Sequence, residues 1–215
     1  MFSFQTIIDN LPVLIASARY TLLISGLGCL LGLIFGAVVC MGAVSRSVAA
    51  RRVAGVYVSF FRGVPLLIQL LLAFCLLPLV GVNVPALVAA ILTVGLCAAA
   101  YISEILRGAL NAIPKGQAEA AIAVGLPPRD IWTRILLPQA LKISMPSLVN
   151  ELILLVKASS LVTVVGIVEI TRMSQSIASA TYRPLEIYLA AAFIYLAINL
   201  VIAGIGRTLE QRFAL

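Results

Sequence analysis

Histidine is absent from this 215-residue chain, tryptophan occurs once, and only 11% of the residues are charged. The four cysteines, Cys29, Cys40, Cys75 and Cys97, each sit inside an apolar run and form no CxxC pair. Without histidine they leave no zinc or thiol-redox constellation and read as small apolar packing residues. The scarcity of charge excludes an ordinary soluble domain, where roughly 25% of residues are charged and 45–50% apolar; here 62% are hydrophobic. Also missing is the phosphate-binding pattern of Gly, any four residues, then Gly-Lys-Ser or Gly-Lys-Thr. Acidic residues are few, eight against fifteen Lys and Arg, for a formal charge of +7. In a soluble protein that excess would suggest nucleic acid, but no basic run is interleaved with aromatics, so no nucleic-acid partner is expected.

What the chain has is long apolar runs. No charge occurs between Arg19 and Arg46, and the stretch exceeds the roughly 20 residues that cross a hydrocarbon core. This first span, 20–44, is too long and too far from the terminus for a cleaved signal peptide, so it is expected to stay in the mature protein. From Gly63 to Ser103 the chain is again uncharged, long enough to cross twice, with Pro78, Gly81, Asn83 and Pro85 supplying the turn. That gives a second span at 53–77 and a third at 86–106. A polar stretch, 107–142, cannot be a span. A fourth follows at 143–165 and a fifth at 187–206, all within one domain, 1–215.

Basic residues orient these five spans. Arg46, Arg51, Arg52, Arg107, Lys115, Arg129, Arg134, Lys142, Arg207 and Arg212 fall on one side, and Arg172 and Arg183 on the other. Ten against two places the N-terminus outside and the C-terminus in the cytoplasm. Gly28, Gly32, Gly36 and Cys40 recur every fourth residue, a small-residue stripe suited to close helix approach, whether inside the molecule or at a dimer seam.

The polar stretch sets Ile122, Leu126, Trp132, Ile135 and Leu136 among charges. An Ala-rich segment from Gly116 to Val124 suits a short helix, stopped by Gly125 and Pro127-Pro128. A second short helix is expected after Pro128, with Asp130 near its start and its end before Pro138. Such a hairpin, apolar on one side and basic on the other, either docks a partner or lies on lipid headgroups.

Its spacing is Glu119-Ala120-Ala121, three residues, Gly125, nine residues, Ile135, one residue, Leu137-Pro138. This resembles, residue for residue, the EAA loop of ABC-importer membrane subunits. The likeness extends through Arg62-Gly63-Val64-Pro65-Leu66-Leu67-Ile68-Gln69, Ala99 to Gly108, Ala112 to Gln117, Leu137 to Lys142, Glu169-Ile170-Thr171 and Arg207 to Arg212, and narrows the resemblance to permeases of the polar amino-acid uptake family. It implies an all-α membrane protein of five transmembrane helices with a cytoplasmic coupling-helix loop, the type I importer fold, in the bacterial inner membrane. By that resemblance Glu119, Ala120, Ala121, Gly125, Ile135, Leu137 and Pro138 belong to the ATPase-coupling surface. The implied partners are ABC ATPase subunits, a second permease copy or a paralogue, an external substrate-binding protein, membrane lipid and a polar amino-acid substrate. No cofactor is implied for this chain itself, ATP and Mg²⁺ being bound by the ATPase. One departure stands out: many members carry an acidic or amide residue after the lysine that ends the fourth span, and here Ala158 follows Lys157. The family's substrate preferences therefore do not transfer.

Ionisable groups at bilayer depth cost roughly 2.5–3.5 kcal/mol on insertion scales and each needs a reason. Glu104 and Arg107 stand one turn apart, the spacing of a helical ion pair. Glu151 and Lys157, six residues apart, fall on different faces. An amino-acid zwitterion needs an anion and a cation or dipole, so Arg62, Gln69, Asn150, Glu151, Lys157, Ser159 and Ser160 are the candidate substrate-path residues, with structural pairing between helices as the alternative. The rival function is an ion-coupled secondary transporter in which Glu104 and Glu151 carry protons. A membrane-embedded enzyme ranks last, since no nucleophile has a base within reach.

Overall fold

Uninterrupted apolar runs have one way to satisfy their backbone in a bilayer, hydrogen bonding within a helix, and the chain follows it. The structure, a computed structural model, describes residues 2–213. The side chain of Arg212, counted above on the inner side, lies outside the described ones. Every regular element among the described residues is helical. Four helices are long and apolar enough to cross a membrane, and a bent pair makes five.

Helix α1, Phe4–Ala43, begins at Phe4 rather than near residue 20. Its 40 residues extend about 60 Å at 1.5 Å each, twice the thickness of a hydrocarbon core. The Ser3 hydroxyl caps it by accepting from the Thr6 N–H, while the Ser3 N–H donates to Glu186. The glycine stripe lies against α4, Ala86–Ala112. A Cβ on Gly28 would stand 2.8 Å from Val94, on Gly32 2.8 Å from Ala98, and on Gly36 2.9 Å from the Ala99 carbonyl oxygen. The stripe is thus used inside the molecule, where backbones approach closely enough to gain dispersion contacts along both helices.

The continuous second span expected at 53–77 is instead two helices, α2, Val48–Gly63, and α3, Leu66–Leu79, bent by 103°. Pro65 explains the break. Proline has no N–H and its ring forces the preceding residue out of helical geometry, and Val64 is extended at φ −98°, ψ 130°. Helix α4 occupies the centre: 61% of its apolar window is buried, against 17–33% in the other three spanning helices. Its Val94, Ala98 and Ile102 share a core with Ile24 of α1, Leu70 of α3 and residues beyond Glu151 such as Leu155 and Val162.

In the polar stretch, α5, Lys115–Ala123, follows α4 across Ile113-Pro114. The second short helix does not end before Pro138. It starts as α6, Pro128–Asp130, widens into a π turn, Ile131–Leu136, and continues as α7, Leu137–Ala158, and a 3₁₀ turn, Ser159–Val165. The wide turn accommodates Pro138, which has no N–H for the carbonyl one turn back, and the Gln139 side-chain Nε2 donates to the Ile135 carbonyl at 2.9 Å. Pro128 to Val165 is therefore one helical rod of 38 residues. Helix α8, Ile170–Thr181, unanticipated in the sequence, lies beyond Gly166, and α9, Pro184–Phe213, completes the chain. Glu169, fully buried, caps α8 by accepting from the Thr171 and Arg172 N–H groups and from the Tyr195 hydroxyl of α9.

Candidate functional site

The polar hairpin is rooted before it projects. Ala109 and Ile113 at the end of α4 pack with Ala140 at the start of α7, joined by Leu110 and Leu136. From this base α5 projects and ends in a Schellman turn. The Leu126 N–H donates to the Ala121 carbonyl at 3.1 Å and the Gly125 N–H to the Ile122 carbonyl at 2.9 Å. Gly125 has φ +79°, the left-handed region, and a Cβ there would meet nothing within 4 Å. Backbone conformation, not crowding, calls for glycine at this position.

The hairpin divides the residues expected to couple. Glu119, Ala120, Gly125, Leu137 and Pro138 are exposed and Ile135 is half-buried. Ala121 is not at the surface: at 4% exposure it faces inward with Ile131. Its small side chain serves the seat of α5, and its carbonyl the turn. Two residues missed by motif spacing carry the outer apolar surface instead, Ile122 at 65% and Val124 at 77% exposure, and Trp132 in the π turn is also exposed, at 44%. Their signal was in the sequence, as branched apolar side chains in a charged stretch. Leu137 and Pro138 open a groove of about 330 Å³ with Leu141, Lys142 and Met145.

Above the hairpin, between the α2–α3 break, α4 and α7, lie two adjoining cavities. One, of about 420 Å³, is lined by Arg62 and Pro65 at the break, Cys97 and Tyr101 of α4, and Glu151 and Leu154 of α7. The other, of about 530 Å³, shares Arg62, Tyr101 and Glu151 and adds Glu104, Ser147 and Asn150. Glu151 is 6% exposed and has no hydrogen-bond or ion-pair partner among the described residues. A carboxylate so placed costs several kcal/mol unless an ion or dipole meets it, which makes Glu151 the leading candidate for a binding residue. Glu104 is bound by Arg107 at 2.8 and 2.6 Å, the helical pair expected from spacing. It is also approached by Arg62 at 3.7 Å, and Arg62 lies over the Tyr101 ring at 5.4 Å.

Arg62, Asn150 and Glu151 are thus brought together, with Tyr101 and Glu104 as neighbours the sequence did not assign to the path. The other candidates go elsewhere. The Gln69 amide donates to the Phe61 and Val64 carbonyls at 2.9 and 2.8 Å, satisfying acceptors that the Pro65 break leaves without helical donors. The fully buried Ser159 hydroxyl donates to the Val156 carbonyl, and Ser160 to that of Lys157. Lys157 is exposed, away from the Glu151 face.

Comparison with known proteins gives a consistent picture. A family model described as binding-protein-dependent transport system inner membrane component matches residues 28–215. The chain is 38% identical over 210 residues to the arginine transport system permease protein ArtQ of Bacillus subtilis (strain 168), covering 97% of this chain and 96% of the relative. It is 37% identical over 213 residues to the glutamine transport system permease protein GlnP of Escherichia coli (strain K12), covering 98% and 97%. Its fold is similar to a chain in the crystal structure of an amino acid ABC transporter with histidines, at TM-score 0.92, 32% identity and 99% coverage of both.

Proposed function

We propose that this chain, which belongs to the family of binding-protein-dependent transport system inner membrane components, is the permease subunit of an ABC importer for a polar amino acid or amino-acid derivative. It forms the path across the inner membrane and is driven by ATP hydrolysis in a separate subunit that binds ATP and Mg²⁺. The observation that carries this is the rooting of the apolar-tipped hairpin in α4 and α7, the same helices that present Glu104, Asn150 and Glu151 to the cavities. An ATPase holding Ile122, Val124 and Trp132 pushes on α4 across Ile113-Pro114 and on α7 along an unbroken rod. Alternating access then follows as the ATPases close and open.

In this reading the coupling surface comprises Glu119, Ala120, Gly125, Ile135, Leu137 and Pro138 as well, with Ala121 supporting it from beneath. The N-terminus faces outward and the C-terminus the cytoplasm. A second permease copy or paralogue completes the path, and an external binding protein delivers the substrate. The amino group of a zwitterion meets Glu151, and its carboxylate meets Arg62 and the Asn150 amide. The relatives named for arginine and glutamine transport support the polar amino-acid class.

The test is uptake into proteoliposomes holding the complete complex, with L-arginine and L-glutamine offered on the external binding protein. Ile122→Asp with Val124→Asp is expected to leave the chain inserted while abolishing ATPase co-purification and uptake. Full uptake without ATP, lost when an ion gradient is collapsed, would instead establish the ion-coupled transporter.

A further inference from the structure

Four ionisable groups crowd the cytoplasmic end of the cavities, and their charges cancel in sum but not in pairs. Arg107 grips Glu104 with two hydrogen bonds, at 2.8 and 2.6 Å. Arg62 reaches the same Glu104 Oε2, already engaged, at 3.7 Å, and its side chain is 45% exposed. Glu151 lines both cavities together with Arg62, yet it has no ion pair or hydrogen bond among the described residues. A loosely held guanidinium and an unpaired, buried carboxylate therefore face one space, where opposite charges attract far more strongly than in water. An arginine that crossed to Glu151 would neutralise the one carboxylate that, among the described residues, lines these cavities without a partner.

We propose that Glu104 is a specificity-determining residue that acts through Arg62. By tethering the guanidinium toward the end of α4, it leaves Glu151 open to the cationic group of an amino acid. Without the tether, Arg62 swings across the cavity, neutralises Glu151 and closes the site to cations. Glu104 and Arg107 stand on the last turns of α4 ahead of Pro114 and α5, so the hairpin that receives the ATPase stroke also moves the tether. This inference rests on the reading of the cavities as the substrate path.

L-argininamide separates the possibilities, because its amide lacks the carboxylate charge with which Arg62 would pair. Its equilibrium binding is measured by scintillation proximity on the intact permease–ATPase complex in lipid nanodiscs, without the external binding protein. Glu104→Gln is expected to weaken binding about tenfold. Adding Arg62→Gln to that variant is expected to restore it, since the competitor for Glu151 is gone. A structural loss at α4 would not be rescued this way. Parent-like binding by Glu104→Gln, or a double variant as weak as the single, overturns the proposal. Should Glu104→Gln fail to co-elute with the ATPase, Arg62→Gln alone decides: it must bind the amide at least as tightly as the parent, and weaker binding overturns the tether. Glu151→Gln is measured alongside. Parent-like binding there defeats the cavity reading itself, whereas weakened binding there with parent-like Glu104→Gln defeats only the tether.

Discussion

Replacing Gly125 asks whether the hairpin works because its backbone turns left at one residue. At φ +79° an L-residue pays about 1–2 kcal/mol, because its Cβ approaches its own backbone. No neighbour lies within 4 Å of the Cβ position, so no steric cost is added by the surroundings. The penalty should follow conformational preference alone: least for Asn, which tolerates the left-handed region, more for Ala, most for β-branched Val. Helix α5 has nine residues, too few for stability by itself. A loss of 1–2 kcal/mol shifts its ordered population by a factor of about 5–30, and apparent affinity for the ATPase falls with that population. Binding of the ATPase to permease variants in nanodiscs should therefore rank Gly, Asn, Ala, Val, the last about tenfold or more below the first, while amide exchange in α5 accelerates in the same order. Equal affinities for Val and Gly would refute the reasoning, and so would an Asn variant as weak as Val.

Three further outcomes follow from the packing. Gln69→Leu removes the donors to the Phe61 and Val64 carbonyls and should lower stability by about 1–3 kcal/mol in thermal unfolding; a change in substrate preference with unchanged melting would return Gln69 to the transport path. Gly36→Ala places a Cβ 2.9 Å from the Ala99 oxygen whereas Gly26→Ala meets nothing within 4 Å, so the first should cost about 1–3 kcal/mol and the second should be neutral. Indistinguishable melting of the two would contradict the α1–α4 contact. Tyr195→Phe takes one of three donors from the buried Glu169 carboxyl and should cost about 1–3 kcal/mol, seen as faster exchange of α8 amides; unchanged exchange would show that the cap alone holds that helix.

Legibility followed the range of the interaction. The apolar runs, the stop at Gly125 and the Glu104–Arg107 pair depend on near neighbours, and each could be read along the chain. The break at Pro65 was visible in principle, since proline restrains the residue before it, but hydropathy alone runs straight through Gly63-Val64-Pro65 and suggests one span. Helix α8 escaped because its length and mixed polarity resemble an outer loop. Ala121 was misplaced for a related reason: motif spacing names the residues of a surface without saying which face of a nine-residue helix rests on its own protein.

Sequence by itself determined that the chain enters a membrane, which stretch stays outside it, and that this stretch carries the pattern of an ATPase-docked loop. The first two conclusions rest on composition and local order, and the third on the resemblance of the Glu119 to Pro138 spacing to the EAA loop of ABC-importer membrane subunits. Tertiary structure decided which polar residues line a cavity and which spend their donors on the backbone. Gln69, Ser159 and Ser160 looked like a path until their donors were seen spent on helix carbonyls. Glu151 and Arg62, distant in the chain, proved to share a cavity while remaining unpaired with each other. The physical reason is that burial and partnering are properties of three helices brought together, and no spacing along one of them contains that information.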